Sequence, residues 1–280
     1  MRVLVTGSQG LVGTYVVSTL RASDHDVVEY DLQDSHDVLD LPQLLDATRG
    51  CDAIIHAAAL LGRAGESPEQ IMMVNVQGTW NAIAAGAETA ERRMVFLSSV
   101  DAFGVFKGER RPDYLPLDIT HPCYPKTPYG ISKYLAEEAC RLSSDDQACS
   151  VVSLRPPGVW TPDTYAEIES ERRRRPAYEW DPYWEYGAFI DVRDLARARL
   201  SALTCHSDGY CCLLVSSSDI TTSGRTSRDM AQSIHPGLEW RGGIEYEVHQ
   251  YRTLLDIEPT RRILGWYPEY TWQRFSQQSG

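Results

Sequence analysis

The chain has 280 residues, 42% of them hydrophobic, which is enough for one large domain or two closely joined ones around a substantial core. Its formal net charge of −12, from 39 acidic and 27 basic residues, opposes binding to the phosphate backbone of nucleic acid. The seven cysteines form no C-x-x-C pair and the seven histidines no H-x-x-x-H spacing, so neither a metal site nor a disulfide framework is predicted. Reduced thiols, no evident signal peptide and no apolar run long enough to span a bilayer predict a cytoplasmic protein with no membrane partner.

Strands alternate with helices along the first half of the chain. The pattern predicts strands at 2–6, 26–30, 37–39, 53–57, 93–99 and 150–154. It predicts helices at 11–20, at 42–48, from Pro68 to about Thr89, and behind Pro128. This alternation indicates an α/β fold, a Rossmann-type doubly wound parallel sheet with helices on both faces.

A glycine-rich turn joins the first strand to the first helix. Gly7, Gly10 and Gly13 have the spacing G-x-x-G-x-x-G. Glycines allow a tight turn whose amides approach a pyrophosphate at the positive helix N-terminus, whereas a bare structural turn is the weaker alternative. The turn therefore predicts dinucleotide binding by Gly7, Gln9, Gly10, Leu11 and Val12.

An acidic residue ends the second strand. Asp31 can accept hydrogen bonds from both ribose hydroxyls of an adenosine and would repel a 2′-phosphate, and no arginine follows it. The sequence therefore favours NAD over NADP as the cofactor. Asp37 and Val38 are candidate contacts on the adenine side, although Asp37 is equally suited to a turn.

Candidate catalytic residues lie on the helix behind Pro128 and at the end of a strand. Tyr129 and Lys133 are four residues apart, so they share a helix face, and a nearby ammonium would make the phenol more acidic and a better proton acceptor. Ser98 and Ser99 end the strand at 93–99, at the edge where ligands bind in such folds. A tyrosine and a lysine at this spacing also occur by chance on many helices, and it is their combination with the glycine turn and the serines that indicates a site.

The sequence resembles the extended short-chain dehydrogenase/reductases, the NAD-dependent epimerase/dehydratases. Matching motifs run along nearly the whole chain: "VTGSQGLVG", "HAAAL", "NVQGT", "LSSVDAFG", "YGISK", "RPPGVWTP", "FIDVRDLA" and "ILGWYP". The resemblance implies a catalytic triad of Ser99, Tyr129 and Lys133, with Lys133 also holding the nicotinamide ribose. It further implies cofactor contacts from Ala57, Ala58, Ala59, Asn75, Ser98, Pro156 and Val159, and a homodimer formed through the helix after Pro68 and the helix bearing Tyr129.

The chain departs from the family pattern in three places. Dehydratases of the family carry an acid directly after the catalytic hydroxyl residue, where this chain has Val100 followed by Asp101, so dehydration is disfavoured. Many nucleotide-sugar members carry a diphosphate-contacting asparagine where this chain has Gly158. The short segment between Pro162 and the "FIDV" motif resembles that of the uronate dehydrogenases, although those carry Asn-His after the serines.

Two regions are predicted, an NAD-binding Rossmann domain at 1–155 and a small substrate-binding region at 156–280, with 189–205 returning to the first. Within the second, a segment combines Arg172 to Arg175 with Tyr178, Trp180, Tyr183, Trp184 and Tyr186. It suits either a substrate lid or mere surface packing, and the arginines suit a solvated helix face.

The function predicted from these features is NAD-dependent oxidation or epimerisation at a secondary hydroxyl of a sugar or nucleotide-sugar substrate. One alternative is a dehydrogenase of a smaller substrate, such as a uronate, a sterol or another alcohol. A second alternative is a dinucleotide-binding regulatory protein without catalysis.

Overall fold

The computed structural model describes residues 1–106, 110–145, 149–174, 185–222 and 224–278. Its strands are β1 (Arg2–Thr6), β2 (Asp26–Tyr30), β3 (Ala53–His56), β4 (Arg93–Leu97), β5 (Tyr114–Leu115), β6 (Ser150–Arg155), β7 (Gly158–Trp160), β8 (Phe189–Asp191), β9 (Tyr210–Leu214) and β10 (Glu239–Trp240). Its helices are α1 (Leu11–Ala22), α2 (Leu41–Ala47), α3 (Pro68–Met72), α4 (Gly78–Ala87), α5 (Pro128–Asp145), α6 (Pro162–Arg174), α7 (Val192–Thr204), α8 (Ser227–Ile234), α9 (Glu245–Val248), α10 (Glu258–Leu264) and α11 (Trp272–Gln278). No helix within these ranges has an apolar stretch of the length that crossing a membrane requires.

A six-stranded sheet forms the centre of the molecule, in the order β2-β1-β3-β4-β6-β9. Every neighbouring pair in it is parallel. The strand order reverses between β1 and β3, and a crevice at such a switch point is where doubly wound sheets bind ligands. The predicted Rossmann-type fold is confirmed.

Both faces of the sheet are buried, because consecutive strand residues point to opposite sides. Val3 and Val5 pack in a cluster with residues of α1 and α7, whereas Leu4 packs on the other face with residues of α2, α4 and α5. Parallel strands that are buried on both faces have continuous apolar sequences, which is why their positions can be predicted from the sequence.

Two of the predicted elements differ from the structure in kind. Residues 37–39 form a turn instead of a strand, because their polar groups bond to side chains of neighbouring helices: Gln43 accepts from the Asp37 amide and Asn81 donates to the Val38 carbonyl. The single helix predicted from Pro68 to Thr89 is interrupted by a π-helical turn over Met73–Gln77. Such turns are frequent at functional sites, and this one carries Asn75.

The chain after residue 155 also contributes a strand and a helix to the central sheet and its helical layer. α7 packs against α1, and β9 pairs with β6 as the sixth strand. A separate apolar cluster brings Phe103, Phe106 and Leu117 together with Tyr186 and Leu254. The division of the chain at residue 155 stays a prediction.

Candidate functional site

A cavity of about 270 Å³ opens at the switch point between β1 and β3. Gly7 follows β1 with φ of +67°, and a methyl group on it would lie 2.7 Å from the Ala58 backbone nitrogen. Glycine at this position therefore allows the two loops to touch. The predicted residues Gly7, Gly10, Asp31, Asp37, Val38, Ala57, Ala58 and Ala59 all line the cavity, together with Tyr30, Leu32, Gln33, His36, Leu39, Leu60 and Val74, which the sequence reasoning missed.

The N-terminus of α1 faces this cavity through Gly10, its N-cap residue, which has no side chain to cap the helix. The first amides of a helix, here those of Leu11 and Val12, have no acceptor within the helix and suit an anion. A methyl group on Gly13 would lie 2.0 Å from the Gly7 carbonyl oxygen, so this glycine lets the helix pack on its own turn. The turn fits the pyrophosphate of a dinucleotide.

Asp31 is fixed by two backbone amides. Its Oδ2 accepts from the Gln9 amide at 2.9 Å, and its Oδ1 accepts from the Gln33 amide at 3.1 Å. The Gln9 side chain donates to Asp34. Each carboxylate oxygen of Asp31 keeps a further lone pair, so the group is oriented and still able to accept from ribose hydroxyls.

The adenine-side residues are held by the protein as well. The Asp37 Oδ1 accepts from the Leu39 amide at 2.9 Å, as in a turn, while both Asp37 and Val38 line the cavity. The His36 ring stacks on Tyr30 with centroids 4.9 Å apart. The two roles weighed for Asp37, turn residue and cavity residue, are therefore both compatible with the geometry.

A buried polar chain runs beneath the cavity. Thr79 donates to the Asn75 carbonyl at 2.6 Å, so it accepts from His56 Nε2, and His56 Nδ1 accepts from the Thr6 hydroxyl at 2.7 Å. Burial and the nearby Lys133 lower the pKa of His56 to about 3. His56 is therefore a neutral structural link and not a proton carrier at physiological pH.

Asn75 joins the cavity to the catalytic helix. Its amide group bonds the Leu60 backbone in both directions at 2.8 Å, and its Nδ2 also donates to Ser132 at 2.9 Å. Ser132 in turn donates to the Tyr129 carbonyl at 2.7 Å. These hydrogen bonds fix the position of the loop after β3 relative to the first turn of α5.

The three predicted catalytic residues meet at the carboxyl end of β4. Ser99 caps the turn that follows the strand, accepting from the Asp101 amide at 3.1 Å, and its side chain acts on the Tyr129 phenol, whose pKa it lowers. The buried Lys133 donates from Nζ to the Leu97 carbonyl at 2.7 Å and lies 5.7 Å from the centre of the Tyr129 ring. The strand ends at Leu97, two residues before the predicted end.

The predicted acidification of Tyr129 is wrong for the protein's own groups. Burial raises the pKa of Tyr129 above its usual value, the charges of Asp101 and Glu185 raise it further, and the Ser99 side chain lowers it. Burial and the charge of Arg199 also lower the pKa of Lys133 to about 7, against the effect of Glu137. The desolvation that the sequence could not reveal outweighs the pairing that it suggested.

The remaining predicted cofactor contacts lie beside the triad. The Val100 amide donates to the Pro156 carbonyl at 3.0 Å, which places Pro156 next to the serine turn, and Val159 is paired with Ile190 in the β7–β8 ribbon. The Ser98 hydroxyl is buried without a hydrogen-bond partner in the part of the chain that is described. An orphaned hydroxyl here leaves a group available to a ligand.

The aromatic and arginine-rich segment belongs only in part to the described residues. Tyr186 is buried and donates to the Val105 carbonyl at 2.9 Å, so it is a core residue and not a stacking surface. Arg173 and Arg174 form ion pairs with Glu169 and Glu171 on an exposed face of α6. The side chain of Arg172 and the residues Arg175, Tyr178, Trp180, Tyr183 and Trp184 lie outside the described residues.

Comparisons with known proteins show which family the chain is similar to. The model of the NAD dependent epimerase/dehydratase family matches residues 3–210. A putative UDP-glucose 4-epimerase from Methanocaldococcus jannaschii is 26% identical over 95% of this chain and 93% of its own length. An L-arabinose 1-dehydrogenase (NAD(P)(+)) from Haloferax volcanii is 29% identical over 61% of this chain and 72% of its own length.

A solved structure shows the same fold. It is a short-chain dehydrogenase/reductase superfamily protein from Agrobacterium tumefaciens with bound NAD, with a TM-score of 0.72 and 23% identity over 100% of this chain and 96% of that one. Together with the family match over most of the chain, this confirms the predicted resemblance and the NAD-dependent enzyme class. The chain belongs to the NAD dependent epimerase/dehydratase family.

Proposed function

We propose that the chain transfers hydride between NAD and a secondary hydroxyl of a sugar or nucleotide sugar, with Ser99, Tyr129 and Lys133 as its catalytic residues. The observation that carries this proposal is the meeting of the three residues at the end of β4. Ser99 caps the turn that follows the strand, and Lys133 donates to the Leu97 carbonyl from an Nζ that lies 5.7 Å from the centre of the Tyr129 ring. This group stands at the sheet edge that also holds the glycine turn. The residues that line the cavity fit NAD, since the turn leaves amides for a pyrophosphate and Asp31 accepts from ribose hydroxyls.

The chemistry divides between cofactor and protein. When bound, NAD supplies the hydride acceptor and, in its oxidised form, a positive ring that offsets the raised pKa of Tyr129. Tyr129 takes the proton of the substrate hydroxyl as the carbon–hydrogen bond breaks, and Ser99 orients that hydroxyl. An epimerase would return hydride to the opposite face of the ketone, whereas a dehydrogenase would release the ketone. Purified protein that carries stoichiometric NAD indicates the first.

A Tyr129→Phe variant tests the mechanism. Removing a positioned acid–base group should lower turnover by about 10²- to 10⁴-fold, while NAD affinity stays within about twofold. The control is Tyr124→Phe, whose hydroxyl donates to Asp113 at 2.8 Å, away from the triad. Hydride transfer at the wild-type rate by Tyr129→Phe would refute the proposal.

A dehydrogenase of a smaller, non-nucleotide substrate is the second candidate. It is supported by the name of the Haloferax relative, an L-arabinose dehydrogenase. A regulatory protein without chemistry is disfavoured, because dinucleotide sensing needs no serine, tyrosine and lysine brought together at the end of β4. NAD binding with no hydride transfer across a broad panel of sugars and alcohols would favour it.

We also propose a homodimer formed through α4 and α5. Four large apolar side chains on this pair of helices and the preceding π-helical turn are exposed to 42–58%: Met73, Trp80, Leu135 and Leu142. Leu135 and Leu142 are seven residues apart on α5, so they lie on one stripe of that helix, while Met73 and Trp80 lie in the π-helical turn and the first turn of α4. Trp80→Glu should yield a monomer in sedimentation experiments, whereas Val248→Glu, at another exposed apolar residue, should not. A Trp80→Glu protein that sediments as the wild type does would rule out this interface.

A cytoplasmic location is likewise proposed, supported by the free thiols of all seven cysteines. Fractionation of the native host, with detection of the chain outside the cytoplasm, would overturn it.

A further inference from the structure

A second cavity opens between the start of α6, the start of α7 and the chain that leads into α11. We call it the α11 cavity, and Tyr165, Arg193, Tyr270, Arg274 and Phe275 are among the residues that line it. Its volume is about 490 Å³, against about 270 Å³ for the cavity at the switch point, and the two share no lining residue. A volume of this size lies within the range of small-molecule sites, about 300–1,000 Å³.

Aromatic rings form much of the wall of the α11 cavity. The rings of Tyr165 and Phe275 pack together with centroids 5.1 Å apart. The guanidinium carbon of Arg193 lies 3.5 Å from the centre of the Tyr270 ring. Flat, apolar walls of this kind suit an aromatic ligand, because aromatic rings pack well against one another in stacked or edge-to-face arrangements.

Two carboxylates hold the chain that carries this wall. Asp194 accepts from the amides of Glu269 and Tyr270, at 3.0 and 2.9 Å, and Asp219 accepts from the Trp272 amide at 3.0 Å. Both aspartates are buried, so these hydrogen bonds are shielded from water. The segment is therefore fixed before any ligand binds, which lowers the entropic cost of binding.

One positive charge at the α11 cavity has no counter-ion among the described residues. Arg193 donates from Nε and Nη2 to Asp191, at 2.8 and 2.7 Å, and Glu269 forms an ion pair with Arg197 at 2.8 Å. Arg274 donates from Nη1 to the Glu269 carbonyl at 2.6 Å, and within the described chain it pairs with no carboxylate. The other nitrogen atoms of its guanidinium can therefore bind an anionic group of a ligand.

The chemistry of the charged groups selects the kind of anion. A planar guanidinium matches the two oxygens of a carboxylate, and a hydrogen bond between charged partners is about twice as strong as a neutral one. The exposed carboxylate of Glu269 also lines the cavity, and it would repel the second negative charge of a phosphate. A ligand with a single negative charge is therefore favoured.

We infer that the α11 cavity is a second ligand site, which binds a small aromatic carboxylate with its ring against Tyr270 and Phe275 and its carboxylate on Arg274. The inference goes beyond the proposed function and does not depend on hydride transfer.

The experiment uses indole-3-acetate and indole-3-acetamide, which share a ring and a shape and differ in charge. Each is titrated calorimetrically into protein saturated with NAD, so that the cavity at the switch point is filled. The carboxylate should bind at least about tenfold more tightly than the amide. In ¹H–¹⁵N correlation spectra, indole-3-acetate should shift the amide signals of Thr271 and Arg274 and leave those of Gly7 and Gly10 in place.

Matched variants separate charge from shape. Arg274→Gln should weaken indole-3-acetate at least about tenfold and leave indole-3-acetamide within about twofold. Phe275→Leu, which keeps an apolar side chain and removes a ring, should weaken both compounds. Arg262→Gln, at an exposed arginine of α10 outside the cavity, is the control and should change neither.

Four results would overturn the inference: no saturable binding of indole-3-acetate, equal affinity for the two compounds, signal shifts at Gly7 and Gly10 in place of Thr271 and Arg274, or unchanged affinity in Arg274→Gln. None of these measurements involves hydride transfer, so their outcome is independent of the test of the proposed function with Tyr129→Phe.

Discussion

The two ends of the site are built in different ways. At the adenosine end, the groups that contact one another are close in sequence, and Asp31 accepts amides from Gln9 and Gln33 within the first βαβ unit. At the reactive end, Ser99, Tyr129 and Pro156 come from three distant segments, and Pro156 is joined to the serine turn through the Val100 amide. The first end depends on local turn geometry and the second on how the whole domain packs.

The electrostatics differ in the same way. The acceptors at the adenosine end are oriented by backbone amides, so their function follows from geometry alone. At the reactive end, burial sets the pKa directions of both Tyr129 and Lys133, and it acts against the pairing that their spacing suggests. The comparison teaches that a motif specifies where a reactive group lies but not its ionisation.

The largest expected effect is at the glycine turn. Gly13→Ala places a methyl group 2.0 Å from the Gly7 carbonyl oxygen, inside the turn, so the variant should fold poorly and lose at least about 100-fold in NAD affinity. In Gly10→Ala the methyl meets that oxygen at 3.3 Å and faces the cavity. This control should keep its thermal stability and lose NAD affinity alone, as measured by thermal denaturation and calorimetry. Equal thermal stability of the two variants would contradict the steric clash that we infer for a methyl group at position 13.

The next effect concerns the support of the catalytic helix. Glu137, one turn after Lys133 on α5, forms a buried ion pair with Arg155 at the end of β6, with Nε to Oε1 at 2.8 Å. Arg155→Met leaves the carboxylate buried and unpaired, which should cost about 3–5 kcal/mol of unfolding free energy. The double variant with Glu137→Leu removes both charges and should lose less than half as much. Urea denaturation measures both, and a double variant less stable than the single one would contradict this account.

Much of the adenosine end can be predicted from the sequence, because its signals are local. The glycine turn and Asp31 are spaced by one strand and one helix, and strands buried on both faces are legible as apolar runs. The sequence pattern wrongly predicts a strand at 37–39, because the hydrogen bonds of this turn go to the side chains of Gln43 and Asn81, which a local pattern does not show.

The reactive end resists such prediction for a physical reason. Ser99, Tyr129 and Lys133 are marked by motifs, but Glu185 contacts Gly158 from 27 residues away and no motif marks it. The direction of the Tyr129 pKa depends on burial, which a helix spacing does not contain. A glycine in place of a larger residue at position 158 is the one signal in the sequence that space for another group exists there.

Stability should depend on pH through Lys133. Its pKa falls from 10.5 unfolded to about 7 in the fold, so between these values the unfolded chain binds more protons and stability rises with pH, by at most about 1.4 kcal/mol per pH unit. Below pH 7 both states are protonated and this dependence vanishes. Lys133→Met should therefore exceed the wild type in stability most at pH 7 or below, with the difference shrinking toward pH 10. Lys126→Met, at an exposed lysine, is the control, and parallel stability curves for Lys133→Met and wild type would show that Lys133 keeps an ordinary pKa.

The smallest effect is expected at Asp31, and it tests the adenosine end by itself. Asn in its place keeps one acceptor oxygen but turns a donor toward either the Gln9 or the Gln33 amide, so NAD affinity should fall about tenfold. The loss of the negative charge should at the same time raise NADP affinity relative to NAD, because a 2′-phosphate no longer meets a carboxylate. Asp34→Asn removes a neighbouring charge whose carboxylate accepts from the Gln9 side chain, so its NAD-to-NADP ratio should stay within about twofold of wild type. Calorimetric titration of both nucleotides gives the ratios, and an unchanged ratio in Asp31→Asn would mean that selectivity is set elsewhere in the cavity and that the contrast between the two ends does not hold.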